Sequence, residues 1–227
     1  MPVDPSKPWD LSDAEAPAAT AALSVDDISE TYATAIAQAT RTINASSRKA
    51  VAAWHRLAED DTSNPIGVER MFAELPAALR SETDDALLGL DQSLQALENH
   101  HVTQLLQHDS RGDANLRWLV DHHLAGVQPG EAAAKLVELA HDPNFASFLA
   151  GPAGRALADH YGLKNVSFRE AALAALSTDG NERQRKHGKA LARLGAVKHA
   201  VGLARGGRNL ALERIALRPE RRPSGAR

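Results

Sequence analysis

Histidine is unusually concentrated in one part of this chain, and imidazoles can bind metals. Two Glu-x-x-His sequences, Glu98–His101 and Glu138–His141, would each place a carboxylate and an imidazole on one helix face, as di-iron bundles require. Such a site needs two further glutamates from separate helices, and roughly 0.6 matches are expected by chance. We therefore predict no metal and no cofactor, and interpret these side chains as solvated or core histidines. Five of the ten histidines lie close together: His100, His101, His108, His122 and His123.

Basic residues are concentrated near the end of the chain. From Glu182 to Arg227 there are thirteen Lys or Arg and three Asp or Glu, whereas the rest of the chain holds thirteen basic and 26 acidic residues. The formal net charge of −3 hides this asymmetry. A segregated basic end indicates contact with something anionic, which is nucleic acid, a membrane surface, or the protein's own acidic body.

The basic residues also have helical spacing. Arg185, Lys189 and Arg193 step by four along one face of a predicted helix at 182–194. Arg and Lys bind phosphates and can contact guanine edges, so this face suits nucleic acid. DNA is our hypothesis, although the sequence does not distinguish DNA from RNA. The predicted nucleic-acid-binding residues are Arg183, Arg185, Lys186, Lys189, Arg193, Lys198, Arg205 and Arg208.

The basic helix follows a second short helix. Ser167 and Glu170 form a capping box for a helix at 168–176, and the turn STDGN leads into the helix at 182–194. Gly195 is placed to end that helix. Two helices joined by a short turn, the second of them basic, are typical of a helix-turn-helix.

Residues 196–217 allow two interpretations. Val197, His199, Val201 and Leu203 alternate with period two, and RGGR could form a hairpin turn, which predicts a β-wing. The many alanines favour a continuing helix instead, whereas the glycines oppose one. We favour the wing.

With the wing, residues 165–217 resemble the winged helix that closes some phage and plasmid primase-helicase proteins. The matching stretches are RQRKHGKALARLG and RGGR. The chain lacks the nucleotide-binding loop of those proteins and the aromatic residue expected after Gly195. The resemblance therefore implies a nucleic-acid-binding module and no catalytic role.

The rest of the chain predicts a mainly α fold, either a helical bundle or an irregular helical array. Ser24 is a candidate N-cap for a long helix at 25–59, whose stripe includes Ile36, Ile43 and Ala50 at a spacing of seven. We interpret this stripe as a core seam. A coiled-coil homodimer through the same helix is the alternative.

Further helices follow a break at 60–65. A short helix at 66–80 should be disturbed by Pro76, and a longer helix at 82–108 follows. Short helices continue to residue 163, and no strand-like alternation occurs before residue 195. The predicted organisation is a disordered leader (1–23), a helical body (24–163), a basic helix-turn-helix-like module (164–217) and a flexible basic tail (218–227).

Several classes of protein are disfavoured by composition. The chain has no cysteine, which excludes disulfides, thiolate catalysis and Cys-based zinc sites. No apolar run is long enough to span a membrane, and the acidic N-terminus does not resemble a signal peptide, so we expect a cytoplasmic protein. Phosphate-binding loops and the Gly-x-Ser-x-Gly hydrolase motif are also missing from the sequence, which argues against an enzyme.

Three functional hypotheses follow. The first is a non-enzymatic DNA-binding or nucleoprotein-assembly protein that uses its basic C-terminal module. The second is a helical scaffold or a coat on a granule or membrane surface, since the Ala-rich amphipathic helices resemble phasins in composition. The third is a metal-dependent helical-bundle enzyme.

Overall fold

The computed structural model describes residues 20–59, 64–161 and 168–217, and all regular structure in these ranges is helical. The predicted mainly α fold is confirmed. Most of the predicted leader, the cap Ser167 and the tail at 218–227 lie outside the described residues. None of the described helices is long and apolar enough to cross a membrane. The helices are α1 (Asp27–Glu59), α2 (Pro65–Leu105), a 3-10 turn (Ser110–Gly112), α3 (Asp113–Leu124), α4 (Pro129–Ala140), α5 (Pro143–Ala150), α6 (Pro152–His160), α7 (Arg169–Asp179) and α8 (Glu182–Ala216).

The chain divides into two compact units. Unit 1 comprises Met1–Ala96 and Gly195–Arg227, and unit 2 comprises Leu97–Leu194. Helices α2 and α8 each contribute one part to unit 1 and the other part to unit 2. The units therefore do not coincide with the predicted body and basic module.

Unit 1 is a three-helix bundle of α1, the first part of α2 and the last part of α8. Helix α1 begins with reciprocal bonds in which Ser29 N donates to Asp26 Oδ1 and Asp26 N donates to Ser29 Oγ. The N-cap is therefore Asp26 and not the predicted Ser24, because the side chain of Asp26 accepts a hydrogen bond from the backbone of Ser29, three residues ahead. The three helices share one apolar cluster: Ala50, Val51, Leu79, Ala211 and Ile215.

The stripe predicted along α1 is confirmed as a core seam. Ile36 and Ile43 are completely buried within the chain. Hydroxyls at intervening buried positions donate to the backbone four residues earlier, from Thr40 to Ile36 O at 2.8 Å and from Ser47 to Ile43 O at 2.7 Å. The polar groups of the seam are thus satisfied inside the helix, which lets small residues line a close helix contact.

The predicted β-wing is wrong, and so is the helix end at Gly195. Residues 196–216 continue α8 as one helix. The buried positions of this part recur at alternating intervals of four and three, the period of a bundle helix, and the glycines at 195, 202 and 206 face open space. Burial of that seam outweighs about 1 kcal/mol of helix propensity lost at each glycine. The seam positions are Val197, Val201, Ala204, Arg208, Ala211 and Ile215.

The predicted interruption near Pro76 is also wrong, since α2 runs unbroken from Pro65 to Leu105 with Pro76 inside it. Proline removes one backbone hydrogen bond from a helix. The flanking residues Leu75 and Leu79 pack into the apolar cluster of unit 1, and this tertiary contact keeps the two predicted helices in line.

Unit 2 packs the short helices α3 to α7 around one apolar cluster. Phe145, Phe148 and Leu157 are among its buried side chains. A second cluster joins α5 and α7 to Leu105 at the end of α2 and to Leu191 near the start of α8.

Close approaches that need glycine occur in unit 2 at Gly154, Gly180 and Gly188. A Cβ on Gly154 would lie 1.7 Å from Leu149 O, and one on Gly188 would lie 2.5–2.6 Å from atoms of Ser177. Helices α7 and α8 are therefore held in direct backbone contact at Gly188.

Candidate nucleic-acid interface

The start of α8 is fixed by two reciprocal hydrogen bonds. Asn181 N donates to Gln184 Oε1 and Gln184 N donates to Asn181 Oδ1, each at 2.9 Å. The Gln184 amide also donates to Leu105 O at 3.2 Å, which ties the helix start to the end of α2. The predicted pair of helices thus exists as α7 and α8, although α8 is 35 residues long and the helix-turn-helix assignment stays a prediction.

Three predicted phosphate-binding residues form an exposed row, which we call the cationic row. Arg185, Lys189 and Arg193 are all exposed on the part of α8 that belongs to unit 2. None of the three forms an ion pair with a described residue. Their spacing of four residues places successive side chains about 6 Å apart along the helix axis.

The neighbouring basic residues of unit 2 have partners. Lys186 Nζ lies 2.9 Å from Glu182, and its hydrogen bond holds the pKa of that carboxyl below its usual range. Arg183 Nη2 donates to the side-chain oxygen of Gln104. Since that amide is neutral, Arg183 keeps its full positive charge at the surface.

The last predicted basic residues belong to unit 1. Arg208 is buried, where its Nε donates to Thr83 Oγ1 at 2.7 Å and its Nη2 to Asp84. Arg205 donates to Asp91. Both arginines therefore neutralise carboxylates of α2. In this part of α8 the basic residues contact the protein's own acidic side chains, which is one of the alternatives proposed from the sequence. Lys198 is exposed on the same part.

The five clustered histidines do not form one group in unit 2. His101 is buried with its Nδ1 2.9 Å from the Nδ1 of His187, and His100 lies beside both rings. His108 contacts Asp113. The remaining two meet aromatic rings, with His122 stacked on Trp118 and His123 edge-on to Phe145. Proximity in sequence thus became several separate groups in the structure, and whether any of these histidines binds a metal stays a prediction.

Residues of the two Glu-x-x-His sequences make contacts outside those sequences. Glu138 pairs with Lys135 at 2.7 Å across one helical turn, and His141 follows as the exposed C-cap of α4. His101 packs inside unit 2 against His187.

A polar cleft of about 470 Å³ lies in unit 2 beside the start of α8. Its walls come from the end of α2, the turn that follows, and the first residues of α8. Sequence reasoning identified one lining residue, Arg183, as a binding residue and missed the others. The turn residues Arg111 and Ser110 are about seventy positions from α8, so no local pattern connects them. The residues that line the cleft include Gln104, Gln107, Ser110, Arg111, Asn181 and Arg183.

No protein-family model, curated protein or solved structure shows significant similarity to this chain.

Proposed function

We propose that the protein binds the phosphate backbone of nucleic acid through the cationic row of unit 2. The observation that supports this is that only some of the basic residues along α8 form ion pairs with carboxylates. Arg205 and Arg208 are matched with carboxylates, whereas Arg185, Lys189 and Arg193 are exposed and form no ion pair with a described residue. Of the three, Arg185 lies near enough to Glu182 to contribute to the lowered pKa of that carboxyl. Unmatched surface cations at regular spacing are the means by which proteins contact polyanions.

The length of the cationic row sets the affinity for nucleic acid that we expect. Its three cations span about 12 Å of helix, a length over which duplex DNA carries roughly seven phosphate charges. A contact of this size belongs with non-specific binding, for which Kd lies on the order of 10⁻⁴ to 10⁻⁶ M at physiological salt. We therefore infer that the cationic row contacts the phosphate backbone whatever the base sequence. The row by itself does not recognise a specific sequence.

The coat-protein and homodimer alternatives have less support. Both need an apolar face that stays exposed on the protein, where a granule, a membrane or a second copy of the chain could contact it. The best apolar stripe of α1, which includes Ile36 and Ile43, is buried inside unit 1. A homodimer through α1 stays a prediction and would have to use another face of that helix.

The test is fluorescence anisotropy with a labelled DNA duplex, a labelled DNA single strand and the corresponding RNA strand. The triple variant R185A/K189A/R193A should bind at least about tenfold more weakly than the natural protein, because it loses three charge-assisted phosphate contacts. The matched control is R41A/R70A/R80A, which removes the same charge from exposed positions of unit 1. Equal affinity in the natural protein and the row variant, or equal losses in both triple variants, would refute the proposal.

A further inference from the structure

The polar cleft of unit 2 differs in chemistry from most small-molecule sites, which are largely apolar. Its lining side chains are all polar or charged. Its volume of about 470 Å³ falls within the ordinary range for a ligand site, about 300 to 1,000 Å³. A ligand that fits this cleft must therefore be small, polar and rich in hydrogen-bonding groups.

The charges of the cleft favour an anion. Arg111 Nε donates to both oxygens of Asp109, at 2.9 and 2.8 Å, and these bonds hold the pKa of Asp109 below its usual range. Arg183 is bonded to a neutral amide, so its charge is not balanced inside the cleft. With histidine neutral, the lining carries a net charge of +1, from two arginines and one aspartate. A guanidinium fork is well suited to a phosphate group.

The amides of the cleft favour a planar hydrogen-bonding group beside that anion. Gln107 is exposed and its amide has no partner among the described residues, so it offers a donor and an acceptor together. The capping bonds of Asn181 occupy its oxygen, which leaves its Nδ2 as a donor. Ser110 adds a hydroxyl. Asn and Gln amides pair with adenine through one donor and one acceptor.

We propose that this cleft binds a single nucleotide, with its phosphate on Arg183 and its base on the amides led by Gln107. This inference deepens the proposed function and rests on it, because the nucleotide would belong to the strand held by the cationic row. Arg183 lines the cleft, and Arg185 begins the row within the same turn of α8 but about 200° further round the helix. A strand that reaches both must therefore pass around the start of the helix. A base can enter a cleft only when it is out of the duplex stack, so the preferred ligand is single-stranded or an end of a duplex.

The test uses AMP, adenosine and inorganic phosphate as separate probes on the full-length ¹⁵N-labelled protein, followed by NMR. AMP should shift the side-chain amide signals of Gln104, Gln107 and Asn181. Adenosine and inorganic phosphate should each bind on the order of tenfold more weakly than AMP, since each lacks one half of the contacts. R183Q and Q107L should each weaken AMP binding by a similar factor.

The matched control is R70Q, which changes another exposed arginine, on unit 1, and should leave AMP binding unchanged. Absence of shifts with AMP would overturn the inference, and so would phosphate binding as strong as AMP binding, which would mean a bare anion site. The two proposals fail separately. Strand binding that depends on the cationic row but occurs without AMP binding removes only the cleft, whereas AMP binding without strand binding removes the proposed function.

Discussion

At the scale of single residues, the arginines of α8 divide into structural and exposed groups. Arg208 has a side chain only 11% exposed and bonds to Thr83 and Asp84. We predict that Arg208→Met lowers the free energy of unfolding by about 2 kcal/mol, because two hydrogen bonds to a charged group are lost in a buried place. Urea denaturation followed by circular dichroism measures this change.

The control for that prediction is Arg205→Met. Arg205 is 38% exposed and pairs with Asp91, which is 59% exposed. Because solvent screens such a pair, its loss should cost less than about 1 kcal/mol. Equal costs for the two substitutions would show that Arg208 does not have the structural role assigned to it.

At the scale of elements, the contact between α7 and α8 depends on one glycine. Gly188→Ala would force a Cβ to within 2.5–2.6 Å of Ser177, partly against backbone. We predict a loss of about 1 to 3 kcal/mol in stability, since overpacking outweighs the better helix propensity of alanine.

Gly195→Ala is the matched change on the same helix, and there a Cβ meets no atom within 4 Å. It should raise stability by about 0.5 to 1 kcal/mol. Thermal unfolding of both variants tests the pair. A Gly188→Ala protein as stable as the natural one would contradict the close helix contact.

The elements also show what a sequence pattern can and cannot predict. The stripe of α1 was predictable because Ile36 and Ile43 recur at the helical period that burial requires. The C-terminal part of α8 was not, since Val197 and Val201 fit both a two-residue and a helical period. What decided between them was the partner surface on α1 and α2, which local sequence does not contain. The same holds for Arg208, whose partner Asp84 lies 124 residues away.

At the scale of the whole molecule, the segregation of charge should appear in the salt dependence of binding. We predict that R185A/K189A/R193A reduces the slope of log K against log salt by about 2 to 3, or 0.9 for each lost phosphate contact. R41A/R70A/R80A carries the same net charge and should keep the natural slope. Equal slopes for the two variants would mean that net charge governs binding and that the row does not.

Truncation would be a poor substitute for these variants. The last part of α8 supplies Ala211 and Ile215 to the apolar cluster of unit 1. Removal of the basic end would therefore uncover Leu79 and its neighbours and destabilise a bundle that includes the acidic helix α2. Substitution of exposed side chains separates binding from folding, whereas removal of α8 does not.

Because unit 1 consists of two separate stretches of chain, its helices are synthesised at different times. Its first two helices leave the ribosome about 100 residues before the third, because Leu97–Leu194 intervenes. At about 5 to 20 residues per second, the delay is roughly 5 to 20 s. During that time the seam of α1 lacks the partner surface that α8 supplies, whereas unit 2 is continuous in sequence. Released chains that end at residue 194 should therefore yield a protease-resistant unit 2 and a protease-sensitive α1.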